Sequence, residues 1–563
     1  MVDPKSKRAE YLLTFFIGLV SVVVLYQLVS RFPFRIDLTD EKRYSISPAT
    51  RELVSNLEDV VYVDIYLEGE LPSGFQRLQR SVRETLEEFS VYSNGNVQYQ
   101  FVNPDQARSE RARNEFMQYL ANRGIQPTNV FTNEGGKRTQ KLIFPGAIVS
   151  YYGEEQGVLL LKGNKGDSPE EILNQSIEGI EYELANAIRT LAQTERKLIG
   201  LVKGHNELDS LELAGFTNAL LQKYDVFNVN LNRSDRALSE YDALLVIKPG
   251  SPFTEIEKFN LDQYIMEGGK AMFFLDALKV NMDSAGGEGT IAIPNEINLR
   301  DLLFRYGARV NDNLIQDLNS GQYPVVAGNI GDQPQITLLP WPFFPVANQF
   351  GDHPIVKNLD AVYSKFVSNI DTVKAEGIKK TPLLYTSQYS RVINPPVRVA
   401  FNDLQEELQP ELFSEGPQPI AYLLEGSFPS SFRNRNLPRG VDRSEFKEKG
   451  SETKIIVCAD GDIIRNEINI QTDQPLDLGF DQFTQVTYAN KDFVMNSLEY
   501  ILEDNGIITA RNKEIEIRPL DKVKLEEEKG WWQAFNMLLP LIVLFIFGYL
   551  KFYLRRRKYT NFG

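Results

Sequence analysis

The chain has 563 residues, of which 42% are hydrophobic and 24% are charged, and its formal net charge is −15. This acidic balance argues against nucleic acid and anionic lipid as partners, because both are bound through clustered Lys and Arg side chains. Cys458 is the only cysteine, so the chain cannot form an intramolecular disulfide.

Two uncharged apolar stretches, residues 11–29 and 530–550, enclose the polar remainder of the chain. A helix needs about 20 apolar residues to cross the hydrocarbon core of a bilayer, and both stretches have this length. The first stretch could also be read as a signal peptide, but it is longer than the usual apolar region of about 7 to 15 residues. We therefore predict two membrane-spanning helices.

The basic residues beside these stretches predict their orientation, because Lys and Arg near a span stay on the cytoplasmic side. Arg31 and Arg35 oppose this assignment for the first span, so the prediction depends on the second cluster. We expect both termini to be cytoplasmic, the large domain to be periplasmic and the protein to lie in the cytoplasmic (inner) membrane. The basic flanks are Lys5, Lys7 and Arg8 before the first span, and Arg555, Arg556, Arg557 and Lys558 after the second.

Residues 31–195 alternate between strand and helix patterns, which is typical of βαβ units in a parallel sheet. A glycine-containing turn at 153–156 adds a hairpin to this N-terminal α/β domain. The predicted strands cover 60–67, 97–102, 142–152 and 157–162, and the predicted helices cover 75–92, 109–123 and 170–194.

Residues 196–315 predict a second α/β domain, because near-continuous apolar strands are typical of doubly wound parallel sheets. Its predicted strands cover 197–202, 226–231, 243–248 and 271–275, and its helices cover 211–223 and 254–266.

The remainder, 316–525, is a Pro/Gly-rich segment followed by a C-terminal α/β portion. Residues 316–351 show little periodicity, and a basic loop at 433–449 is expected to project into solvent. Short strands are expected at 421–424 and 454–458, and the second is predicted to be a buried strand that contains Cys458. A helix is expected at 490–504. The predicted fold class is α/β, with two membrane-spanning helices flanking a periplasmic ectodomain of two or more α/β units with mostly parallel sheets. The predicted segments are 1–30, 31–195, 196–315, 316–525 and 526–563.

Residues that could carry chemistry are scarce, since the chain has only two histidines. His205 directly follows a predicted strand, where open α/β sheets place their ligand contacts. A structural loop histidine beside Glu207 is the alternative, and His353 before Pro354 indicates a turn. The predicted ligand contacts are Gly204, His205, Asn206 and Glu207.

Metal and nucleotide motifs are missing from the sequence. The segment 460–462 (DGD) resembles part of a calcium loop, but Ile464 and Asn466 stand where further ligands should follow. A turn after a strand is the simpler interpretation. No GxxxxGK[ST] motif or GxSxG motif occurs, so we expect no ATPase centre, no hydrolase elbow, no metal and no other cofactor.

Several segments together resemble the GldG family of gliding-motility-associated ABC transporter substrate-binding proteins, which are ABC-type auxiliary transport components. The resemblance covers essentially the whole chain, with both apolar stretches in place. The segments are 35–47 (RIDLTDEKRYSIS), 204–207 (GHNE), 338–345 (LLPWPFFP), 353–355 (HPI) and 421–426 (AYLLEG).

This resemblance implies a non-catalytic, membrane-anchored auxiliary subunit that works with a multi-span permease and a separate P-loop ATPase in gliding motility and associated secretion. The second α/β domain also resembles amidotransferase-like folds, which implies a sugar or peptide ligand. This chain lacks their nucleophilic cysteine after a strand, since Cys458 lies far downstream, so binding rather than cleavage is expected. The alternative is a membrane-anchored hydrolase or transferase that uses His205 and Glu207.

Overall fold

The fold is mixed α/β, and the computed structural model describes most of the chain. Two units are distinguished, Met1–Lys513 and Glu514–Gly563. The described residues are 13, 15–24, 26–27, 45–104, 109–134, 137–162, 168–193, 195–232, 237–286, 288–330, 333–405, 408–503, 506–512 and 522–560.

The N-terminal part of the first unit is a four-stranded sheet in the order β2-β1-β5-β6. β1 pairs in parallel with β2, whereas β1 with β5 and β5 with β6 are antiparallel. The predicted βαβ unit and added hairpin are therefore confirmed. The strands are β1 Val61–Ile65, β2 Val97–Phe101, β3 Thr128–Glu134, β4 Lys137–Ile143, β5 Gly146–Tyr151 and β6 Glu154–Leu159, and β3 pairs only with β4.

Four described helices lie beside this sheet. The start of the longest is defined by a capping box in its first turn. Ser168 and Glu171 form a reciprocal capping box at the start of this helix. In the β5–β6 turn, Tyr152 and Gly153 both have positive φ, the geometry of a two-residue type I′ hairpin. The helices are α1 Pro48–Ser55, α2 Ser73–Tyr92, α3 Glu110–Asn122 and α4 Pro169–Ala192.

The second part is built on an eight-stranded sheet in the order β17-β20-β23-β24-β10-β9-β7-β8. Parallel pairing joins β8, β7, β9, β10 and β24. The other three pairings in this sheet are antiparallel. The strands are β7 Leu198–Val202, β8 Asp225–Val229, β9 Ala243–Ile247, β10 Lys270–Phe274, β17 Gln349–Phe350, β20 Ile378–Tyr385, β23 Pro419–Pro429 and β24 Lys449–Cys458.

The prediction of mostly parallel sheets is wrong beyond these central strands. The smaller sheets outside the N-terminal one contain only antiparallel pairs among the described residues. The physical reason is the connection type, since helical crossovers link the early strands and direct returns link the later ones. Strands from 378–458 extend the sheet that begins at 198, so the predicted segments 196–315 and 316–525 share one sheet.

Alternation along the central strands gives the large sheet an apolar layer on each face. In β10, Met272 and Phe274 belong to one core cluster, while Ala271 and Phe273 belong to the other. Successive residues of a strand point to opposite faces, so a strand covered on both faces is apolar throughout. Cys458, predicted in a buried strand, is fully buried in β24.

Helices cover this sheet on both faces. In α8, Phe493, Val494 and Leu498 are fully buried. They join the cluster that contains Met272 and Phe274. The helices are α5 Ala214–Leu221, α6 Glu255–Met266, α7 Arg300–Tyr306 and α8 Asn490–Leu502.

The segment 316–351 is a long antiparallel hairpin rather than an irregular stretch. Its strands β15 and β16 pair from Ser320 to Ile330 with two register shifts. The prolines hid this pattern because each removes a ladder donor and interrupts the alternation. Trp341 and Phe344 pack with their ring centroids 4.6 Å apart in a separate aromatic core.

The remaining strands are short except for this hairpin. They are β11 Leu278–Lys279, β12 Thr290–Pro294, β13 Ala308–Val310, β14 Leu314–Asp317, β15 Ser320–Ile330, β16 Gln333–Ala347, β18 Val362–Tyr363, β19 Ile370–Thr372, β21 Ser390–Ile393, β22 Val397–Val399, β25 Phe480–Asp481 and β26 Val486–Thr487.

Most described residues of the basic loop at 433–449 are exposed, as predicted, and the loop also contacts α6 near its two ends. Phe432, just before it, is buried, with its ring centroid 5.2 Å from that of Phe259. Phe446 also packs on Phe259, and the Lys447 N–H donates to Gln263 Oε1 at 2.8 Å. Two aromatic rings therefore hold the segment against α6, while its described charged side chains remain exposed to solvent.

The second unit contains one long helix, α9 Lys522–Thr560. Its stretch Glu527–Leu554 has 28 residues and a mean hydropathy of 2.1, so it is long and apolar enough to cross a membrane. Near the other end of the chain, the apolar helix Phe15–Val24 is shorter than a span. The predicted first span, 11–29, lies partly outside the described residues, as do Arg31, Arg35 and most of the segment 35–47.

A buried ionic cluster links the N-terminal sheet to the large sheet. The Tyr182 hydroxyl on α4 donates to Glu499 Oε2 on α8 at 2.7 Å, and Lys223 Nζ pairs with Glu499 Oε1. Arg189 lies 3.3 Å from Glu503 and 4.0 Å from Glu499. Burial favours the neutral carboxyl, but the charges of Lys223 and Arg189 outweigh it and lower the pKa of Glu499 to about 2.

Glu499→Gln should therefore destabilise the protein by about 3–5 kcal/mol near neutral pH, because it removes the buried carboxylate charge that pairs with Lys223. The native pKa lies below the ordinary 4.5, so the stabilisation is complete above pH 4.5 and is lost as the pH falls toward 2. Urea denaturation of the full chain in detergent at several pH values measures this difference.

Glu452→Gln is the matched control, because Glu452 is an exposed residue of β24. It should change the midpoint of unfolding little. Equal effects of the two substitutions would contradict the linking role of Glu499.

Candidate functional site

The carboxyl edge of the large sheet brings together several buried or half-buried ionisable groups that could form a site. β7, β9, β10 and β24 end there, and their following loops carry His205, Lys248, Asp276 and Asp462. The chain leaves β7 toward β8 on one side and reaches β9 on the other, so the strand order reverses between β7 and β9. Open α/β sheets bind ligands at such an edge.

His205 is buried, and its imidazole is enclosed by two carboxylates and an aromatic ring. Nδ1 lies 3.0 Å from Glu207 Oε1, and Nε2 lies 3.3 Å from Glu257 Oε2 at the start of α6. The ring stacks on Phe253 with centroids 3.6 Å apart. The backbone carbonyl of His205 accepts hydrogen bonds from the N–H groups of Gly250, at 2.7 Å, and the next residue.

These contacts fix the charge of the imidazole. Burial disfavours the imidazolium, but the hydrogen bonds and charges of Glu207 and Glu257 outweigh it and raise the pKa of His205. Burial likewise opposes ionisation of Glu207. Its hydrogen bonds with the His205 side chain and backbone N–H groups still lower its pKa. The result is a buried ion pair that ties the β7 loop to α6.

The four predicted ligand residues therefore differ in exposure. The side chains of His205 and Glu207 are 3% and 4% exposed, whereas Gly204 and Asn206 are exposed residues with positive φ. Two cavities of about 440 Å³ and 680 Å³ lie in the described part of the chain. None of these four residues lines either cavity. Ligand binding by this loop stays a prediction.

Lys248 forms a second ionic centre at the same edge. Its Nζ lies 2.5 Å from Asp276 Oδ2 and 2.6 Å from Asp462 Oδ2. Gly461 allows this approach, because a Cβ at that position would lie 2.6 Å from the Lys248 Cβ. The Gly461 N–H also donates to Asp276 Oδ1 at 2.7 Å. The DGD segment is thus a turn after β24, as predicted.

Carboxylate oxygens of Asp276, Asp460 and Asp462 all lie within 4.8 Å of one another, so these are the described residues that could hold a cation. Lys248 already supplies a positive charge there. Burial and the neighbouring carboxylates raise the pKa of Asp460, whereas Lys248 and Arg465 overcome burial and lower the pKa of Asp462. The cluster therefore has the character of a structural ion network.

A cavity of about 440 Å³ opens beside this network, and Lys248, Asp276 and Asp462 form part of its wall. Two further cations in the wall are paired at 2.5 Å, Lys365 with Glu467 and Arg465 with Glu212. The lining also contains four aromatic residues, Tyr323, Phe344, Tyr363 and Phe366, and Lys365 Nζ lies 5.5 Å and 5.4 Å from the ring centroids of Phe344 and Tyr363. Such a lining suits binding of a small molecule by its apolar surface.

Sequence reasoning missed Lys248 and Asp276. The available signal was their position, since each is among the first polar residues after a buried apolar strand, in LLVIK and MFFLD. The carboxyl ends of parallel strands meet at one edge, so these residues could have been grouped with Asp462. Their pairing required knowledge of the strand order.

Comparison with known proteins gives a family for much of the chain. Residues 196–497 match the family model described as an ABC-type uncharacterized transport system, and residues 40–150 match a domain of unknown function. An uncharacterized protein of Borreliella burgdorferi is 22% identical over 441 residues, which cover 77% of this chain and 80% of that protein.

Two solved structures show weak likeness. The mmIFT52 N-terminal domain has 12% identity and a TM-score of 0.31, covering 54% of this chain and 97% of its own. A putative thua-like protein from Parabacteroides merdae has 11% identity and a TM-score of 0.26, covering 55% and 90%. Likeness at these scores carries no argument about function.

The two histidines should titrate on opposite sides of the ordinary value of 6.5. His205 should stay protonated above pH 6.5 because of its carboxylates, whereas burial lowers the pKa of His353 to about 4. The stabilisation from the His205 ion pair is complete below pH 6.5 and is lost as the pH rises through its raised pKa. NMR of histidine-labelled protein resolves both titrations.

His353→Gln assigns the signals, because it should remove only the one that titrates at low pH. Titration of the remaining signal at or below pH 6.5 would contradict the buried ion pair.

Proposed function

This chain belongs to the family described as an ABC-type uncharacterized transport system, and on that basis we propose that it is a non-catalytic, substrate-binding auxiliary subunit of an ABC transporter. The observation that carries the proposal is the joining of this family domain, on one chain, to the exposed apolar helix Glu527–Leu554. The helix anchors the subunit at the membrane where a transporter works.

The finer proposal concerns topology. The stretch 11–29 forms a second anchor, both termini are cytoplasmic and the large domain is periplasmic, held at the inner membrane. This follows from the basic residues outside the two apolar stretches, above all the cluster at 555–558. Trp531 and Trp532 lie at one end of the apolar helix and are both exposed, as interfacial anchors are.

The non-catalytic role is supported by the state of the ionisable groups at the carboxyl edge. An acid–base pair needs a group that can reach substrate, yet both ring nitrogens of His205 face carboxylates. Lys248 is held by Asp276 and Asp462. No observation on the described residues favours the alternative of a hydrolase or transferase that uses His205 and Glu207.

The biological setting that we propose is gliding motility and associated secretion, with a multi-span permease and a separate P-loop ATPase as partners. Resemblance to the GldG family supports this setting. The proposed ligand is a sugar or a peptide. Within the loop 204–207, exposed Gly204 and Asn206 make the contacts, while buried His205 and Glu207 position them.

Purification of the full chain from its native membrane in mild detergent tests the partner proposal. A multi-span permease and a P-loop ATPase should co-purify in fixed proportion and be identified by mass spectrometry. His205→Gln should keep both partners, because the buried pair has no catalytic part in the proposal. Recovery of the chain without either partner would contradict it.

Cysteine labelling tests the topology, since Cys458 is buried and the unaltered chain should give no background. Arg77→Cys, on the exposed side of α2, should react with a membrane-impermeant maleimide in intact spheroplasts. Lys5→Cys and Arg557→Cys should react only after permeabilisation. Labelling of Arg557→Cys in intact spheroplasts would overturn the cytoplasmic placement of the C-terminus.

A further inference from the structure

A second, larger cavity of about 680 Å³ lies beside α7, in the part of the fold that follows β10. Its lining is rich in arginine although the chain as a whole carries a net charge of −15. The acidic side chains in the lining are fewer, namely Asp276, Asp301 and Asp312. The arginines are Arg300, Arg305, Arg309, Arg433 and Arg435.

Internal ion pairs occupy some of these arginines but leave others available. Arg300 pairs with Asp312, and Arg435 lies 2.7 Å from Asp301. Arg305 is exposed and has no hydrogen-bond or ion-pair partner among the described residues. Arg433 has only a long contact, 3.6 Å to Glu448. Two guanidinium groups can therefore serve an anion from outside.

Buried oxygen atoms without hydrogen-bond partners are concentrated in the same lining. They include Asn295 Oδ1, Ser431 Oγ and Asp312 Oδ1. Asn295 and Ser431 are 3% and 4% exposed. An unpaired buried polar atom is costly, and one in a native protein calls for a partner such as a ligand or an ordered water.

The orientation of Asn295 is fixed by its neighbours. Its Nδ2 donates to the carbonyls of Pro249 and Asp276, both at 3.1 Å. A flipped amide would set oxygen against two carbonyl oxygens, so the unpaired atom must be the acceptor. The Ser431 backbone N–H is held by Asp262 at 2.7 Å, which fixes the position of its hydroxyl-bearing side chain.

An aromatic ring completes the lining. Phe304 on α7 lines the cavity and is 51% exposed. An exposed ring beside a polar cavity offers a flat apolar surface to a ligand.

We propose that this arginine cavity binds a sugar acid, a small molecule that carries one carboxylate and several hydroxyl groups. Arg305 and Arg433 hold the carboxylate, since guanidinium matches carboxylate geometry. Hydroxyl groups donate to Asn295 Oδ1 and pair with Ser431, and Phe304 packs on the apolar face of the ring. Inorganic phosphate has at most two O–H donors near neutral pH and no apolar face for Phe304, whereas a sugar acid offers several hydroxyl donors and a ring. The inference goes beyond the proposed function, because this cavity is a second binding site whose lining contains none of the loop residues 204–207.

Isothermal titration calorimetry on the full chain in detergent tests the proposal with D-glucuronate as the probe. Glucuronate should bind, whereas glucose, which lacks the carboxylate, should bind at least about tenfold more weakly. Absence of glucuronate binding overturns the proposal. Tighter binding of inorganic phosphate or of a glutamate dipeptide than of glucuronate overturns the assignment to sugar acids.

Arg305→Gln should raise the Kd for glucuronate about tenfold or more, because it removes a charge-assisted contact. Its side chain is exposed and unpartnered, so folding is not at stake. Ser431→Ala should weaken glucuronate binding by a smaller factor. Arg80→Gln, an exposed arginine on α2 outside the cavity, is the matched control and should leave the Kd unchanged. Equal Kd values for Arg305→Gln and the unaltered chain overturn the site.

Co-purification separates this inference from the proposed function. Arg305→Gln should still bring down the permease and the ATPase in the same proportion as the unaltered chain. Loss of glucuronate binding in Arg305→Gln, with both partners retained, supports the cavity as the glucuronate site. If the unaltered chain retains both partners but does not bind glucuronate, only the cavity proposal is overturned. If it binds glucuronate but recovers neither partner, only the transporter proposal is overturned.

Discussion

The contact of Lys248 with Asp276 and Asp462 is the interaction on which the second part of the fold depends. It joins the ends of β9, β10 and β24, three neighbouring strands that are far apart in sequence. Burying these charges is costly, and only their mutual pairing offsets that cost. The close approach of Gly461 to Lys248 shows how tightly the two turns must fit. This network forms the boundary between the sheet and both cavities, since Asp276 lines each of them.

Two other buried ionic centres also join elements that are distant in sequence. His205 lies between Glu207 and Glu257 and ties the β7 loop to α6, while Glu499 ties α4 to α8. Each of these ion pairs sets the position of one element relative to another. The apolar layers alone would not do so, because apolar contacts are non-directional. The ionisable groups at the carboxyl edge are thus largely committed to holding the scaffold. This commitment is the observation that supports the proposed non-catalytic role.

The proposed binding site lies where charged side chains have no ion-pair partner within the described part of the protein. The cavity beside Lys248 has paired cations and an aromatic wall, whereas the arginine cavity has Arg305 without a partner and buried oxygen atoms without hydrogen bonds. A folded domain tolerates few such atoms. The two cavities therefore differ in kind: the cations in the first are paired within the protein, whereas the second has an arginine that is available to an anion. Their common border at Asp276 places both at the edge where β10 ends.

The sequence by itself determined the local elements. Apolar periodicity predicted β1, β7, β9, β10 and the long helices to within a few residues, because a strand or helix must present a continuous apolar face to its core. It also predicted that Cys458 is buried. It could not predict the β15–β16 hairpin, where prolines mask alternation, or the packing of the loop at 433–449, which two phenylalanines decide. Only the tertiary structure placed Lys248 between two aspartates and gathered five arginines around one cavity. These groupings join residues distant in the chain, and strand order, which no local pattern encodes, sets which of them meet.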